Sequence, residues 1–363
     1  MAQNKTNASA WLAGAQLPPP FQPGNSKTAW EKQRISIRRD LWTLLGKLPP
    51  RPASPTVETL FKFGDVTYDQ LTTTTAALSR EDKGDYVVEK FQFNNGAGSI
   101  VPGYLLLPKT ASRNSKAPAI LYCHWHGGEY DIGKEELFQS KHPPEPPGPT
   151  LAKLGYVVIG VDAYCFGERN GQGPGADKGS AGEMTASKFN LWVGRTLWGM
   201  ILRDDLMALD YLVSRKEVDR NRIGVMGMSM GATRAWWLMA LDERLKTGVP
   251  ICCLTRYQNL IENDLLKAHG IYYFVPNMLN HFDTEAVVSL IAPRPVLFLD
   301  GDKDGTSPVD GIHAIEAAVR PVYRLYKKEA AFQSIVYENQ GHVYTPEMWQ
   351  RTLQWMEENL KGK

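Results

Sequence analysis

The sequence predicts an α/β fold: a mostly parallel central sheet, helices on both faces, and an antiparallel hairpin at the N-terminal edge. Three observations carry that expectation. Short apolar runs (118–123, 156–161, 223–226, 247–253, 294–299 and 332–337) alternate with stretches of helical periodicity, the pattern of crossover units that feed a parallel sheet. Over 87–93 the apolar residues instead alternate, Asn94-Asn95-Gly96 supplies turn chemistry, and the run 100–107 follows as the second half of an antiparallel pair. Finally, the run 223–226 enters a glycine-flanked turn and passes at once into helix formers, 232–241.

Taken in order, residues 1–28 are polar, contain Pro18-Pro19-Pro20, and read as an extended arm. From 29 to about 47, Trp30, Ile35, Ile37, Leu41, Leu44 and Leu45 recur at helical spacing, and Gly46 with the prolines after Leu48 ends that helix. Residues 56–80 hold a short strand or two. We therefore expect 1–85 to be an arm, an amphipathic helix and short strands packed on a main domain, 86–363. Within that domain a long helix is expected over 190–214, with Trp198, Leu202, Leu206, Leu209 and Val213 as its core stripe. A last helix is expected over 348–360. Two stretches interrupt the alternation: 166–187, rich in Gly, Ala and Ser, and 254–290, rich in aromatics. Both follow strand C-terminal ends, where open α/β sheets place their ligand crevice, so insertions near 163–189 and 254–290 are expected to wall a pocket.

A hydrophobic share of 43% over 363 residues is enough for a large core, and a net charge of +2 with both signs interspersed gives no nucleic-acid footprint. No apolar run reaches the length of a membrane span. The four cysteines show no metal spacing and read as small buried hydrophobes. No signal-peptide apolar core opens the chain. Met1-Ala2-Gln3 fits either a cytoplasmic start or an exported chain whose leader was removed, so compartment and oligomeric state stay open.

The chemistry centres on Gly227-Met228-Ser229-Met230-Gly231. A serine at the apex of a strand–turn–helix is exposed as a nucleophile, and the flanking glycines let strand and helix approach. A hydroxyl needs a base to take its proton and a carboxylate to orient that base, and in such a sheet the acid follows the serine and the histidine comes last. Asp300, Asp302 and Asp304 cluster after one strand. Asp304 is favoured over Asp302 because it lies in the turn before Gly305, where the chain can bend toward a histidine. Of seven histidines, His342 alone stands after the last strand and before the last helix, next to Gly341. The oxyanion formed on attack needs N–H donors. Met230 supplies one, and the loop His124-Trp125-His126-Gly127-Gly128 the other, assigned to Gly128 or a neighbour in that loop. Trp125 is placed to line the acyl pocket or to pack in the core. Tyr257 belongs to the second pocket-wall stretch. Arg169 is placed to receive a carboxylate or sugar hydroxyl, or to brace its own loop against Glu168 or another acid. His124 and His126 offer a different reading, a metal-dependent hydrolase built on two imidazoles of one strand end. A serine peptidase of the prolyl-oligopeptidase kind shares the catalytic order, though that kind carries a propeller for which the N-terminal region is too short.

These residues resemble the α/β-hydrolase fold, and within it the dienelactone-hydrolase-like and acetyl-xylan-esterase-like bacterial branch. The likeness is carried by His126-Gly127-Gly128, by Asp162 with Phe166-Gly167-Glu168-Arg169, by Gly227 to Gly231, by Gly301 to Asp304 and by Gly341-His342, over about residues 86–360. The resemblance implies ester hydrolysis through an acyl-serine with no cofactor or metal, Ser229 as nucleophile, Asp304 as acid and His342 as base. Dienelactone hydrolases proper use cysteine where this chain has Ser229, which argues for an esterase. Members of the branch act on esters of plant polysaccharides, so the implied partner is a small-molecule or carbohydrate ester.

Overall fold

The computed structural model describes residues 8–52, 57–63, 66–71 and 75–362, with side chains outside 57–77. In chain order the helices are α1 (Ala8–Gly14), α2 (Lys27–Leu45), α3 (Pro147–Lys153), α4 (Gly179–Trp192), α5 (Leu197–Ser214), α6 (Met230–Leu241), α7 (Tyr257–Glu262), α8 (Thr284–Ser289), α9 (Val309–Leu325) and α10 (Pro346–Leu360). The strands are β1 (Val57–Phe63), β2 (Val66–Leu71), β3 (Thr75–Asp82), β4 (Tyr86–Asn94), β5 (Ile100–Pro108), β6 (Ala117–Cys123), β7 (Val157–Val161), β8 (Val218–Met228), β9 (Thr247–Ile251), β10 (Val296–Gly301) and β11 (Phe332–Tyr337).

Among the described residues these strands form one sheet in the order β1-β2-β3-β4-β5-β7-β6-β8-β9-β10-β11. From β7 to β11 every neighbouring pair is parallel. The strands β6, β7, β9 and β10 are buried along their whole length, and β8 is buried from Ile223 to Met228, as a sheet covered on both faces requires. The expected hairpin, β4 with β5, pairs antiparallel from Tyr86↔Pro108 to Asn94↔Ile100. It does not end the sheet: β3, β2 and β1 continue the antiparallel limb beyond it. The segment 56–80 thus contributes strands to the same sheet.

Two expectations about helices shift. The apolar stripe of α2 is Trp30, Ile37, Leu41 and Leu45, all buried, while Ile35 is 71% exposed on the opposite face. The single helix expected over 190–214 is two helices. Gly194 at φ +76 breaks the path, and Thr196 restarts it as the N-cap of α5, its hydroxyl accepting the Gly199 N–H at 2.9 Å. Helix α4 therefore occupies much of the stretch read as a loop. Helix α5 itself buries Trp198, Leu202, Leu206 and Leu209, as its periodicity requires. Helix α2 is tied to its start, where Thr196 N–H and hydroxyl both meet the carbonyl of Leu45.

The core also holds charge. Arg234 of α6 meets Asp205 of α5 in a two-pronged pair at 2.6 and 2.9 Å, both side chains fully buried, and its remaining nitrogen donates to the carbonyl of His124. Removing one partner of such a pair strands the other charge away from water. Asp205→Ala is expected to destabilise the fold by about 3–5 kcal/mol, read from urea unfolding by circular dichroism.

Candidate active site

Strand β8 delivers Ser229 at the carboxyl edge of the sheet, between its parallel neighbours β6 and β9. Its backbone is in a strained region, φ 58 and ψ −118, held by its own N–H donating to Ile251 O at 2.8 Å. Glycine is obligatory on either side. A Cβ at Gly231 would sit 2.0 Å from the Cys123 carbonyl oxygen, and one at Gly227 would sit 2.3 Å from the same atom. Met230 begins α6, whose first-turn N–H groups have no intrahelical acceptor.

The acid and base come from the loops after β10 and β11. Asp304 Oδ2 lies 2.7 Å from His342 Nδ1, so the expected pairing is met by Asp304 and not by Asp302, whose loop N–H is bound to Tyr337 O instead. Thr306, two residues on, completes the arrangement. Its N–H and hydroxyl both donate to Asp304 Oδ1, at 2.8 and 2.7 Å, and its oxygen lies 3.1 Å from His342 Nδ1. Burial pushes the Asp304 carboxyl up, but the hydrogen bonds from His342 and Thr306 outweigh it and hold the group below the usual carboxylate value. Asp304 is therefore ionised at neutral pH while His342 remains part-exposed. The carbonyl of Thr306 is held in turn by His269 Nε2 at 3.0 Å and the Thr255 hydroxyl at 2.9 Å. Burial lowers the pKa of His269 to about 4, which makes it a neutral donor.

Serine turn and histidine loop meet at the end of β9. Ile251 accepts the Ser229 N–H, and the next residue, Cys252, donates its thiol to Val343 O at 3.2 Å. The Cys252 sulfur and ligand atoms of Asp304 and His342 all lie within 4.8 Å of one another. Among the described residues the Ser229 hydroxyl makes no hydrogen bond to His342.

The loop after β6 is a two-glycine turn. Glu129 N–H donates to His126 O at 2.9 Å, and both central residues have positive φ, Gly127 at 51 and Gly128 at 77. Here the geometry corrects one expectation. The Gly128 N–H already donates to His126 Nδ1 at 3.0 Å, so it is not an open oxyanion donor. Trp125 N–H is also taken, by Glu136 Oε2 at 2.6 Å. The amides of His126 and Gly127 carry no hydrogen bond among the described residues.

Neither imidazole of this strand end is free for a metal. His124 faces Trp125 O with Nδ1 at 2.7 Å and accepts Ala163 N–H on Nε2 at 3.0 Å. His126 uses Nδ1 for Gly128 and places Nε2 2.8 Å from Glu183 Oε2. The two-histidine metal reading loses its ligands to these bonds.

The substrate contacts expected from sequence go elsewhere in two cases. Arg169 is buried and braces the fold: it bonds Asp162 O, Ser99 Oγ and Asp204 Oδ2, each at 3.0 Å, and stacks over Tyr164. Its partner is Asp204, while Glu168 pairs with Lys90 and Lys134. Tyr257 packs edge-on against Tyr273 and lines an apolar cavity of about 590 Å³ under α1, together with Trp11, Leu260 and Met278. Trp125 is part-buried and stacks on His142, and its ring stands where a Cβ at Gly127 would be. Asp300 stands among the three clustered acids, whereas Thr306, Glu136 and Glu183 are not legible as site residues in the sequence. Only Thr306 left a local signal, the Asp-Gly-Thr spacing of a side-chain-to-backbone turn.

Residues 57–344 match the Abhydrolase family. The chain belongs to that family. Among the relatives of this abhydrolase is YtaP of Bacillus subtilis, a proposed hydrolase, 37% identical over 80% of this chain and 88% of YtaP. A Bacteroides fragilis protein proposed to be an acetyl xylan esterase superposes with a TM-score of 0.68 at 18% identity, covering 93% of this chain and 83% of its own. A glucuronoyl esterase from Solibacter usitatus gives 0.66 at 17% identity, covering 95% and 99%. At those identities the superpositions establish the abhydrolase fold. No helix among the described residues is long and apolar enough to cross a membrane.

One buried acid behind the abhydrolase site has a pH consequence. Burial raises the Asp300 carboxyl to about 7, although its Oδ1 accepts the N–H groups of Cys253 and Leu254, and its Oδ2 has no partner. An acid whose folded pKa lies above its unfolded value lends stability below the unfolded pKa, and this is lost as pH rises through about 7. Asp300→Asn keeps an acceptor and cannot ionise. Its melting temperature relative to the native chain is expected to rise from pH 5 to pH 8 in calorimetric scans, and a constant difference would contradict the raised pKa.

Proposed function

We propose that this abhydrolase is a serine carboxylic-ester hydrolase working through an acyl-serine intermediate. The observation that carries the reading is the Asp304–His342 bond at 2.7 Å, braced by Thr306, beside a serine held at a strained strand–helix turn. Asp304, acceptor-only when ionised, requires the proton of His342 to sit on Nδ1, which leaves Nε2 as the base. Ser229 attacks the ester carbonyl while His342 Nε2 takes the hydroxyl proton. The bond between them tightens as substrate binds, as catalytic hydrogen bonds commonly do. Negative charge then builds on the carbonyl oxygen and is met by the Met230 N–H at the start of α6 and by an amide of the 126–128 turn. Because the His126 ring occupies the Gly128 amide, the open donors of the turn are the amides of His126 and Gly127, and we assign Gly127. The protonated histidine gives its proton to the departing alcohol. Water, deprotonated by the same nitrogen, cleaves the acyl-serine and restores the hydroxyl.

The substrate class is taken from the structural neighbours, which include an acetyl xylan esterase, glucuronoyl esterases and a methylesterase. Esters borne on polysaccharides are the class we assign.

Ser229→Ala is expected to lower hydrolysis of a short-chain aryl ester by at least about 10⁴-fold with unchanged circular dichroism, and to abolish labelling by a fluorophosphonate probe. Undiminished turnover in that variant overturns the acyl-serine scheme.

A further inference from the structure

The acid–base pair and the serine turn account for bond making and breaking, but not for the cluster on the far side of the His126 ring. Glu183, near the start of α4, is 97% buried and is the acceptor in three contacts. Its Oε2 lies 2.8 Å from His126 Nε2 and takes the Tyr130 hydroxyl at 3.2 Å, while its Oε1 takes the Tyr272 N–H at 3.5 Å. Tyr272 also stacks on the His126 ring, with centroids 5.0 Å apart and planes at 23°. Phe166 closes a further side edge-on. Both long insertions therefore converge on one imidazole.

We propose that Glu183 is a positioning residue for the oxyanion turn, acting through His126. This rests on the acyl-serine reading of Ser229. The carboxylate accepts and cannot donate, so it requires the ring proton on Nε2. Nδ1 is left with its lone pair, and that lone pair takes the Gly128 N–H at 3.0 Å. The opposite tautomer would set two N–H groups against each other at Gly128 and a lone pair against the carboxylate. The Gly128 contact matters because packing does not restrain that residue: a Cβ built there meets no atom within 4 Å, both glycines lack the side chain that would limit their backbone, and apart from the Glu129–His126 bond that closes the turn the contact to Nδ1 is what holds it. The bond to Nδ1 pins the two-glycine turn, and the pinned turn aims the Gly127 amide at the developing oxyanion. It is the arrangement of a metal-binding histidine oriented by an outer carboxylate, used here to orient a backbone donor.

Such a device acts in the transition state, where the oxyanion exists, and hardly in the ground state. Glu183→Ala is expected to lower kcat on an aryl acetate by about tenfold or more, toward the loss seen when one oxyanion donor is removed, with KM within about threefold. Binding of a boronic acid, which mimics the tetrahedral species, weakens by the same factor. Glu183→Gln still accepts the Nε2 proton and recovers most of kcat. A second pair holds if Glu183→Ala does not fold: His126→Asn, whose side-chain oxygen can accept the N–H two residues on, retains at least about tenfold more kcat than His126→Ala. Equal kcat in those two variants, or a Glu183→Ala enzyme whose loss lies in KM alone, overturns the proposal. Fluorophosphonate labelling of the native chain separates the two levels. If it fails, the serine reading falls; if it succeeds while the variants keep native kcat, only the role of Glu183 falls.

Discussion

The close approach of β6 to the first turn of α6 is the constraint from which the rest follows. The carbonyl oxygen of Cys123 lies where side chains at Gly227 and Gly231 would have to go. Because both positions are glycine, the strand end and the helix start share one small volume. Three things then coincide there: the strained serine, the unpaired N–H groups of the helix start, and the glycine turn that leaves β6. Arg234 reinforces the contact from below, joining α6 to the carbonyl of His124 and to Asp205 of α5. The site is a by-product of how tightly two backbones can pass.

Around that point, buried polar groups hold the loops in place. Asp162 accepts the Lys134 N–H and ammonium and the Glu168 N–H, which fastens the loop after β7 to the segment after the two-glycine turn. Arg169 reaches from the same loop to Asp204 and Ser99. Thr255, His269 and Ser307 fasten the acid loop to the second insertion. Each group is costly to bury alone and is satisfied only when its loop is in register, so the network specifies loop geometry more than it adds stability.

The fold was readable because its signals are local. Apolar runs of β6 to β11 announce buried strands, and Gly227 to Gly231 announces the turn whatever surrounds it. The preference for Asp304 over Asp302 also rests on a local signal, the turn before Gly305, and it is Asp304 that hydrogen-bonds His342. Arg169 shows what sequence could not give: its motif left a ligand contact and a brace against an acid both open, and only the fold brings Asp204 within 3.0 Å of it. Gly128 shows the same limit, because the ring that occupies its amide is oriented by Glu183, 55 residues away in the numbering. The break between α4 and α5 was missed because apolar periodicity runs through it, while Gly194 and Thr196 mark it only by backbone conformation.

Helix α2 reaches its place by an attachment that spans most of half the chain. Its last carbonyl, Leu45, is satisfied by Thr196, 151 residues later. During synthesis at about 5–20 residues per second, that carbonyl is made roughly eight to thirty seconds before its partner. For at least that interval the apolar stripe from Trp30 to Leu45 lacks the surfaces that α5 and α8 later supply, and the helix waits for a seat that the rest of the chain has yet to build.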